Sequence, residues 1–336
     1  MKVKDESVAA ALQTLHLEVA ACTIVHPGVA RGLELMEESY QNAVDHFGRR
    51  GVMIHGESRS GKTKLLELFR TRFENVTFLS LTGAATVDSV VSDLLRAVGD
   101  PLCTSGTIAN KTERLESLIA QRGTRMIQID EAHHVIMNRS PRVVGTIASW
   151  LKSLMNDRID CAPKNFALVL SGVGEVTDLL RDEQLRNRFY APIELQLFTG
   201  SDEVDVRGMR VLLASICKQL TIARNANLST TEMALRFRMA TTGRIGIVVD
   251  LVAYAGSSAI RDGRDVLTAS DLGEAYDVLV GSSSGDVNPF RTDVITLMRD
   301  SRTGGLPAPT SSRRMNRRIR AAKKETKIGD VLKRTR

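Results

Sequence analysis

The segment HGESRSGKTKLL, residues 55–66, holds four residues whose types and spacing suit one task. Gly56, Gly61, Lys62 and Thr63 stand in the pattern G-x-x-x-x-G-K-[ST]. In that pattern two glycines let the backbone curl so that its N–H groups surround phosphate oxygens, and the lysine reaches the terminal phosphates. The threonine hydroxyl is placed to ligate Mg2+, and the N-terminus of the following helix adds a positive dipole end. The whole turn, Gly56, Glu57, Ser58, Arg59, Ser60, Gly61, Lys62, Thr63 and Lys64, is the candidate loop for ATP with Mg2+. The bland alternative is a glycine turn that only caps a helix.

Hydrolysis needs a second acidic group, and RMIQIDEAHHV supplies two in succession. Asp130 is placed to hold the metal's water shell and Glu131 to orient and polarise the attacking water. His133 and His134 are adjacent, which on an α-helical face is the wrong spacing for one metal, so packing or polar support is expected of them. The stretch LVLSGVG ends a strand-like run and puts Ser171 near the γ-phosphate as a polar sensor. In LLRDEQLRNRFYAPIEL, Arg186 and Arg188 precede the last such run. A guanidinium there reaches a neighbouring subunit's nucleotide in oligomeric ATPases, Arg188 being the first choice. Arg244, in TTGRIGIVV, is a candidate second nucleotide sensor, although the usual basic position falls nearer Gly246. The letters DEAH suggest a helicase, but the stretch after residue 200 reads as helical and too short for the second α/β domain a helicase needs. LVLSGVG resembles a transporter-ATPase signature, but it comes after the acidic motif instead of before it.

These groups need a scaffold, and the apolar pattern outlines one. Five short runs, GVMIH (51–55), VTFLSL (76–81), RMIQID (125–130), NFALVLS (165–171) and APIELQL (191–197), are spaced far enough apart for intervening helices. That pattern predicts a parallel sheet buried on both faces. Before it, Leu33, Met36, Tyr40, Ala43, Val44 and Phe47 recur at helical spacing. After residue 202 strand-like runs give way to four helical patterns, the last capped by Thr268 or Ser270. The expected division is a helical extension over 1–48, an α/β nucleotide-binding domain over 49–200, a small all-helical lid over 201–281 and a linker with a basic flexible tail over 282–336. GSSSGDVNPF and TGGLPAPTSS read as flexible connections.

Composition narrows the class. At 336 residues and 43% hydrophobic content the chain has ample material for a core. Its net charge of +7 is concentrated from Ser301 onward, where Lys and Arg far outnumber the acids; the remainder is slightly acidic. A basic block of that kind attracts polyanions or an acidic surface. No apolar run is long enough to span a bilayer, and a cytoplasmic protein without membrane contact is expected. Cys22, Cys103, Cys161 and Cys217 lie far apart with no C-x-x-C pair, which points to reduced thiols.

The P-loop, the Asp-Glu pair, the sensor strand, the R-x-R-F box and the helical lid together resemble an AAA+ P-loop ATPase of the initiator and helper-loader branch. More narrowly, IVHPGVARGLELMEE, GESRSGKT, DEAHH, LRNRF and VNPF resemble the TniB/TnsC family of transposition ATPases, over roughly residues 24–290. The resemblance implies an ATP-dependent regulator that polymerises as a ring or helical filament on double-stranded DNA. It implies two protein partners, a TniQ-like target-selection protein and a transposase, with hydrolysis driving disassembly. Lys111, Arg114, Arg139 and Arg142 follow sheet ends and are candidate DNA contacts, and the tail is a candidate for gripping DNA or docking on the transposase. The alternatives are an AAA+ protein-interaction switch that never meets DNA, and a helicase loader.

Overall fold

The computed structural model describes residues 2–22, 27–45, 48–155, 166–199, 203–281 and 287–293. In chain order the elements are α1 (Lys2–Ala21), α2 (Pro27–Asp45), β1 (Gly51–His55), α3 (Lys62–Arg70), β2 (Val76–Ser80), α4 (Val87–Ala97), α5 (Ile108–Gln121), β3 (Met126–Asp130) and α6 (Pro141–Met155). Then come β4 (Ala167–Gly172), α7 (Glu183–Arg186), β5 (Ile193–Glu194), α8 (Glu203–Gln219), α9 (Thr231–Thr241), α10 (Ile245–Arg261) and α11 (Ala269–Leu279). Short 3-10 turns follow β3 at Ala132–Val135 and β4 at Gly174–Arg181. The chain divides into two compact units, Val25–Gln196 and a second that joins the N-terminal helix to residues after Leu197.

The first unit is a five-stranded sheet of order β2-β3-β4-β1-β5, and all its pairings are parallel. Strand side chains alternate between faces, and here the alternation sorts them into two cores. Met53, Ile127, Ile129, Leu168 and Leu170 join one with α4, α5 and α6. Val52, Ile54, Met126, Ala167 and Val169 join the other, with α2 and α3. Each fully buried Leu, Ile or Phe in these cores contributes about 1.5–3 kcal/mol. The same period of two puts Asp130 and Ser171 on the α3 face, because they continue the Met126 and Ala167 series by even steps.

The fifth run is shorter than the sequence suggests. Gly51 bridges Phe189, yet Ile54 pairs with Ile193, so the edge strand holds one residue more than its partner over this stretch. Pro192, which has no N–H for the ladder, lies inside this slip.

The second unit is helical. Leu212, Leu213, Phe237, Val248, Leu251 and Leu272 form its core. Thr268 caps α11 in a reciprocal box with Asp271, the first of the two expected caps. The helical extension expected over 1–48 is divided between the units. Leu15 and Cys22 of and after α1 are buried among the second unit's residues, and Glu18 accepts the backbone N–H of Thr221 at 3.0 Å. Helix α2 instead buries Val29, Leu33 and Met36 against the sheet.

VNPF, read as flexible linker, is docked. Phe290 is 6% exposed and packs edge-on to Phe237, while the Asn288 amide donates to Gly273 O at 2.8 Å and Asp277 Oδ1 at 2.9 Å. A short polar run with one aromatic carries no periodicity from which such docking can be read. Phe47, Cys161, the TGGLPAPTSS stretch and the basic tail lie outside the described residues. Among the described residues no single helix is long and apolar enough to cross a membrane.

Candidate nucleotide site

The turn at 56–63 links the C-terminal end of β1 to the first residue of α3, the place that phosphate binding requires. Gly56 (φ +155) is pressed against the edge strand, where an added Cβ would sit 2.7 Å from Leu195 O. Gly61 (φ +104) caps α3 with no side-chain cap, and nothing lies within 4 Å of where its Cβ would be. A bare backbone cradle with room beside it results. Lys62 is 4% exposed and donates to Gly56 O and Glu57 O, each at 2.8 Å, so its ammonium is held inside the loop. Burial pulls its pKa below the ordinary lysine value, against the attraction of Glu131, Asp130 and Glu57.

Thr63 Oγ1 donates to Asp130 Oδ2 at 2.6 Å, which joins the start of α3 to the end of β3. The other carboxylate oxygen of Asp130 accepts the backbone N–H of Glu131 at 3.0 Å. Glu131 itself lies in the left-handed region (φ 55), and its carboxyl is raised above the usual range, first by burial and then by Asp130, with Lys62 and His134 opposing. β4 lies between the strands of Asp130 and the P-loop, and Ser171 on it pairs in register with Ile54. The Ser171 side chain is fully buried and its Oγ has no hydrogen-bond partner among the described residues. Ser60 Oγ is in the same state. Buried hydroxyls of this kind ask for water or ligand.

The rest of the turn divides by exposure. Glu57 and Ser58 face solvent, Arg59 takes a left-handed turn position (φ 71) with its pKa lowered by burial, and Lys64 pairs with Glu67 at 3.1 Å one helical turn along. The donor set fits Mg2+ with a triphosphate: one hydroxyl and one carboxylate at 2.6 Å, beside an open glycine cradle.

Arg186 and Arg188 stand elsewhere. Arg188 O accepts from Gly51 N at 2.9 Å, at the beginning of β1, whereas the P-loop leaves its end. A five-residue strand is about 13–17 Å long, so the Arg188 backbone and the P-loop lie at opposite ends of β1. Arg186 is exposed; Arg188 is half-buried, with its guanidinium on Gln184 O. Arg244 belongs to the second unit, where it precedes α10 and bonds the Thr242 hydroxyl.

Two of the four candidate DNA contacts have structural partners in the chain. Lys111 is 3% exposed, its ammonium fixed by Asp88 Oδ1 at 2.8 Å and Ser92 Oγ at 3.1 Å, so it ties α5 to α4 and is not a surface charge. Arg114 holds the preceding loop through Asp100 at 3.0 Å and the carbonyl of Leu102 at 2.8 Å. Sequence reasoning could not see these partners, which come from α4 and the loop after it. Arg139 and Arg142 are exposed, in a stretch that also exposes Met137 and Val143. Sequence reasoning also missed how closely the histidine pair meets the acidic motif, with His133 Nδ1 3.3 Å from Glu131 Oε2.

The fold and this edge of the sheet define a P-loop AAA+ domain, and the family model of the AAA domain matches residues 45–180. Solved structures with the same fold include Cdc6p from Pyrobaculum aerophilum (15% identity, TM-score 0.56, covering 76% of this chain and 68% of that one). ORC2 of Aeropyrum pernix in ADPNP-ADP complexes is 12% identical with a TM-score of 0.58, covering 87% of this chain and 84% of that one. ORC1 of Aeropyrum pernix in complex with DNA is 15% identical with a TM-score of 0.53, covering 89% and 84%. At such identities the likeness is one of fold. No curated protein matches the sequence significantly.

Proposed function

We propose that the chain is an ATPase whose site is completed by a second copy, and that it regulates transposition by assembling on double-stranded DNA. The observation that carries the ATPase reading is the convergence of Lys62, Thr63, Asp130 and Glu131 at one sheet edge, with Thr63 and Asp130 bonded at 2.6 Å. Lys62 would leave its two carbonyls to bind the terminal phosphates, Thr63 and Asp130 would hold Mg2+, and Glu131 would orient and polarise the attacking water while Ser171 senses the γ-phosphate. Mg2+ supplies neutralisation of the phosphate charge. Arg186 and Arg188, at the opposite end of β1 from the P-loop, serve the neighbour's nucleotide. An arginine used in trans requires a head-to-tail interface, and such interfaces build rings or open helices.

DNA binding is supported by the exposed Arg139 and Arg142 and by the fold shared with an ORC1 protein solved with DNA. Contacts of this kind grip phosphates with little sequence preference. The transposase and a TniQ-like protein as partners rest on the sequence resemblance. The fold shared with Cdc6 and ORC proteins favours a second reading, a helicase loader or initiator. Purified chain is tested for binding to duplex DNA with ATP, ADP or no nucleotide, then for retention of a transposase against a helicase. Equal DNA binding in all three nucleotide states sinks the proposal, and retention of the helicase alone selects the second reading.

A further inference from the structure

The 3-10 turn after β3 carries two ring nitrogens that the ATPase reading leaves unused. Nδ1 of His133 and Nδ1 of His134 are buried, and neither has a hydrogen-bond partner among the described residues. His133 Nδ1 lies 3.3 Å from Glu131 Oε2, a contact without hydrogen-bond geometry. The two rings lie with centroids 4.3 Å apart and planes at 33°. One ligand atom from each of Glu131, His133 and His134 lies within 4.8 Å of the others. The pair thus converges, contrary to what adjacent positions on an α-helix would allow. Gly172 leaves room beside them, since a Cβ there would come within 3.2 Å of His133 Nδ1.

Two imidazoles and a carboxylate form a ligand set suited to borderline ions, with three protein ligands and an open fourth position. Mg2+ prefers oxygen donors in octahedral geometry and would not compete for the nitrogens.

We propose that Glu131, His133 and His134 form a site for a zinc-class divalent ion, separate from the Mg2+ ligands Thr63 and Asp130. An ion held there occupies the Glu131 carboxylate and stops it from activating water. This second half rests on the ATPase reading; the metal site does not.

The test uses the untagged full-length chain and Co2+ as a spectroscopic probe in excess Mg2+. Wild type binds one Co2+ with a visible d–d absorption band that Zn2+ abolishes, and His134→Ala and His133→Gln weaken that binding by about tenfold or more. Alongside, Zn2+ inhibits ATP hydrolysis by wild type, a chelator restores it, and His134→Ala needs a correspondingly higher Zn2+ concentration; a fluorescent ATP analogue binds with or without Zn2+. A Co2+ band that is missing in folded wild type, or unchanged in both variants, overturns the site. A Co2+ band with Zn2+-insensitive hydrolysis overturns the inhibition. A chain that never hydrolyses ATP refutes the ATPase reading instead, and the Co2+ titration still decides the metal site.

Discussion

Replacing Glu131 by glutamine removes a charge that folding disfavours and that the proposed hydrolysis uses, so the two effects should run in opposite directions. The carboxyl is raised by burial and then by Asp130, while Lys62 and His134 oppose with smaller effect. A carboxyl raised in the folded state binds its proton more tightly there than in the unfolded chain. Its contribution to stability therefore falls as pH rises from the ordinary glutamate range through the raised value, and above that value the whole penalty is present. The side chain is 37% exposed, so solvent screens the penalty. A half-exposed like-charge pair is worth about 0.5–1 kcal/mol, or about 1–4 °C in Tm for a unit of this size. Glu131→Gln without nucleotide should melt that much higher at pH 8 and match wild type near pH 4. Its hydrolysis rate should fall about 100- to 10,000-fold, with ATP still bound. Calorimetry at the two pH values and a phosphate-release assay check this. A variant that melts lower at pH 8, or that hydrolyses ATP at the wild-type rate, refutes the reasoning.

Arg139→Ala and Arg142→Ala should each weaken DNA binding and lower the slope of log affinity against log salt by about 1. Lys111→Ala should leave that slope unchanged and instead cost about 1–3 kcal/mol of stability, because Asp88 and Ser92 lose their shared partner; denaturant titration measures it. Gly243→Ala should loosen the helical unit, since Gly243 has φ +74 and a Cβ there would lie 2.5 Å from Phe198 C and O; a drop of less than about 1 kcal/mol would contradict the contact. The Arg264 guanidinium, bonded to both Asp271 oxygens, holds the Asp271 carboxyl down at about 2. That contribution is complete above the ordinary aspartate range and lost as pH falls through about 2, so Asp271→Asn should melt lower than wild type at pH 7 and match it below pH 2.

Much of the α/β unit was legible because the central strands β1, β3 and β4, buried on both faces, write themselves as short apolar runs. Four of the five runs match observed strands to within about two residues, a normal margin for element ends. The fifth was overestimated because Pro192 breaks the ladder while its neighbours remain apolar. Asp130 and Thr63 were legible as a motif, and the period of two along β3 explains why they meet on the α3 face. What stayed hidden depends on tertiary partners. The helical spacing before the sheet lies in α2, and nothing in the sequence of α1 reveals that Leu15 packs with the helical unit. The charge of Lys111 suggested a surface that its burial between α4 and α5 removes. On an α-helix the adjacent histidines would point apart, whereas the chain there makes a 3-10 turn after a left-handed Glu131.

In the proposed assembly each triphosphate is shared between two copies, and complementation between two inactive variants reads that sharing out. Glu131→Gln keeps the arginines and lacks the water-activating group; the Arg186→Ala, Arg188→Ala double variant keeps Glu131 and lacks the guanidinium groups. Mixed in equal amounts with ATP, Mg2+ and duplex DNA, the two should hydrolyse ATP well above the sum of their separate rates, because some interfaces then combine an intact Glu131 with an intact arginine pair. A mixture that co-assembles and binds ATP yet stays at the separate rates would contradict the claim.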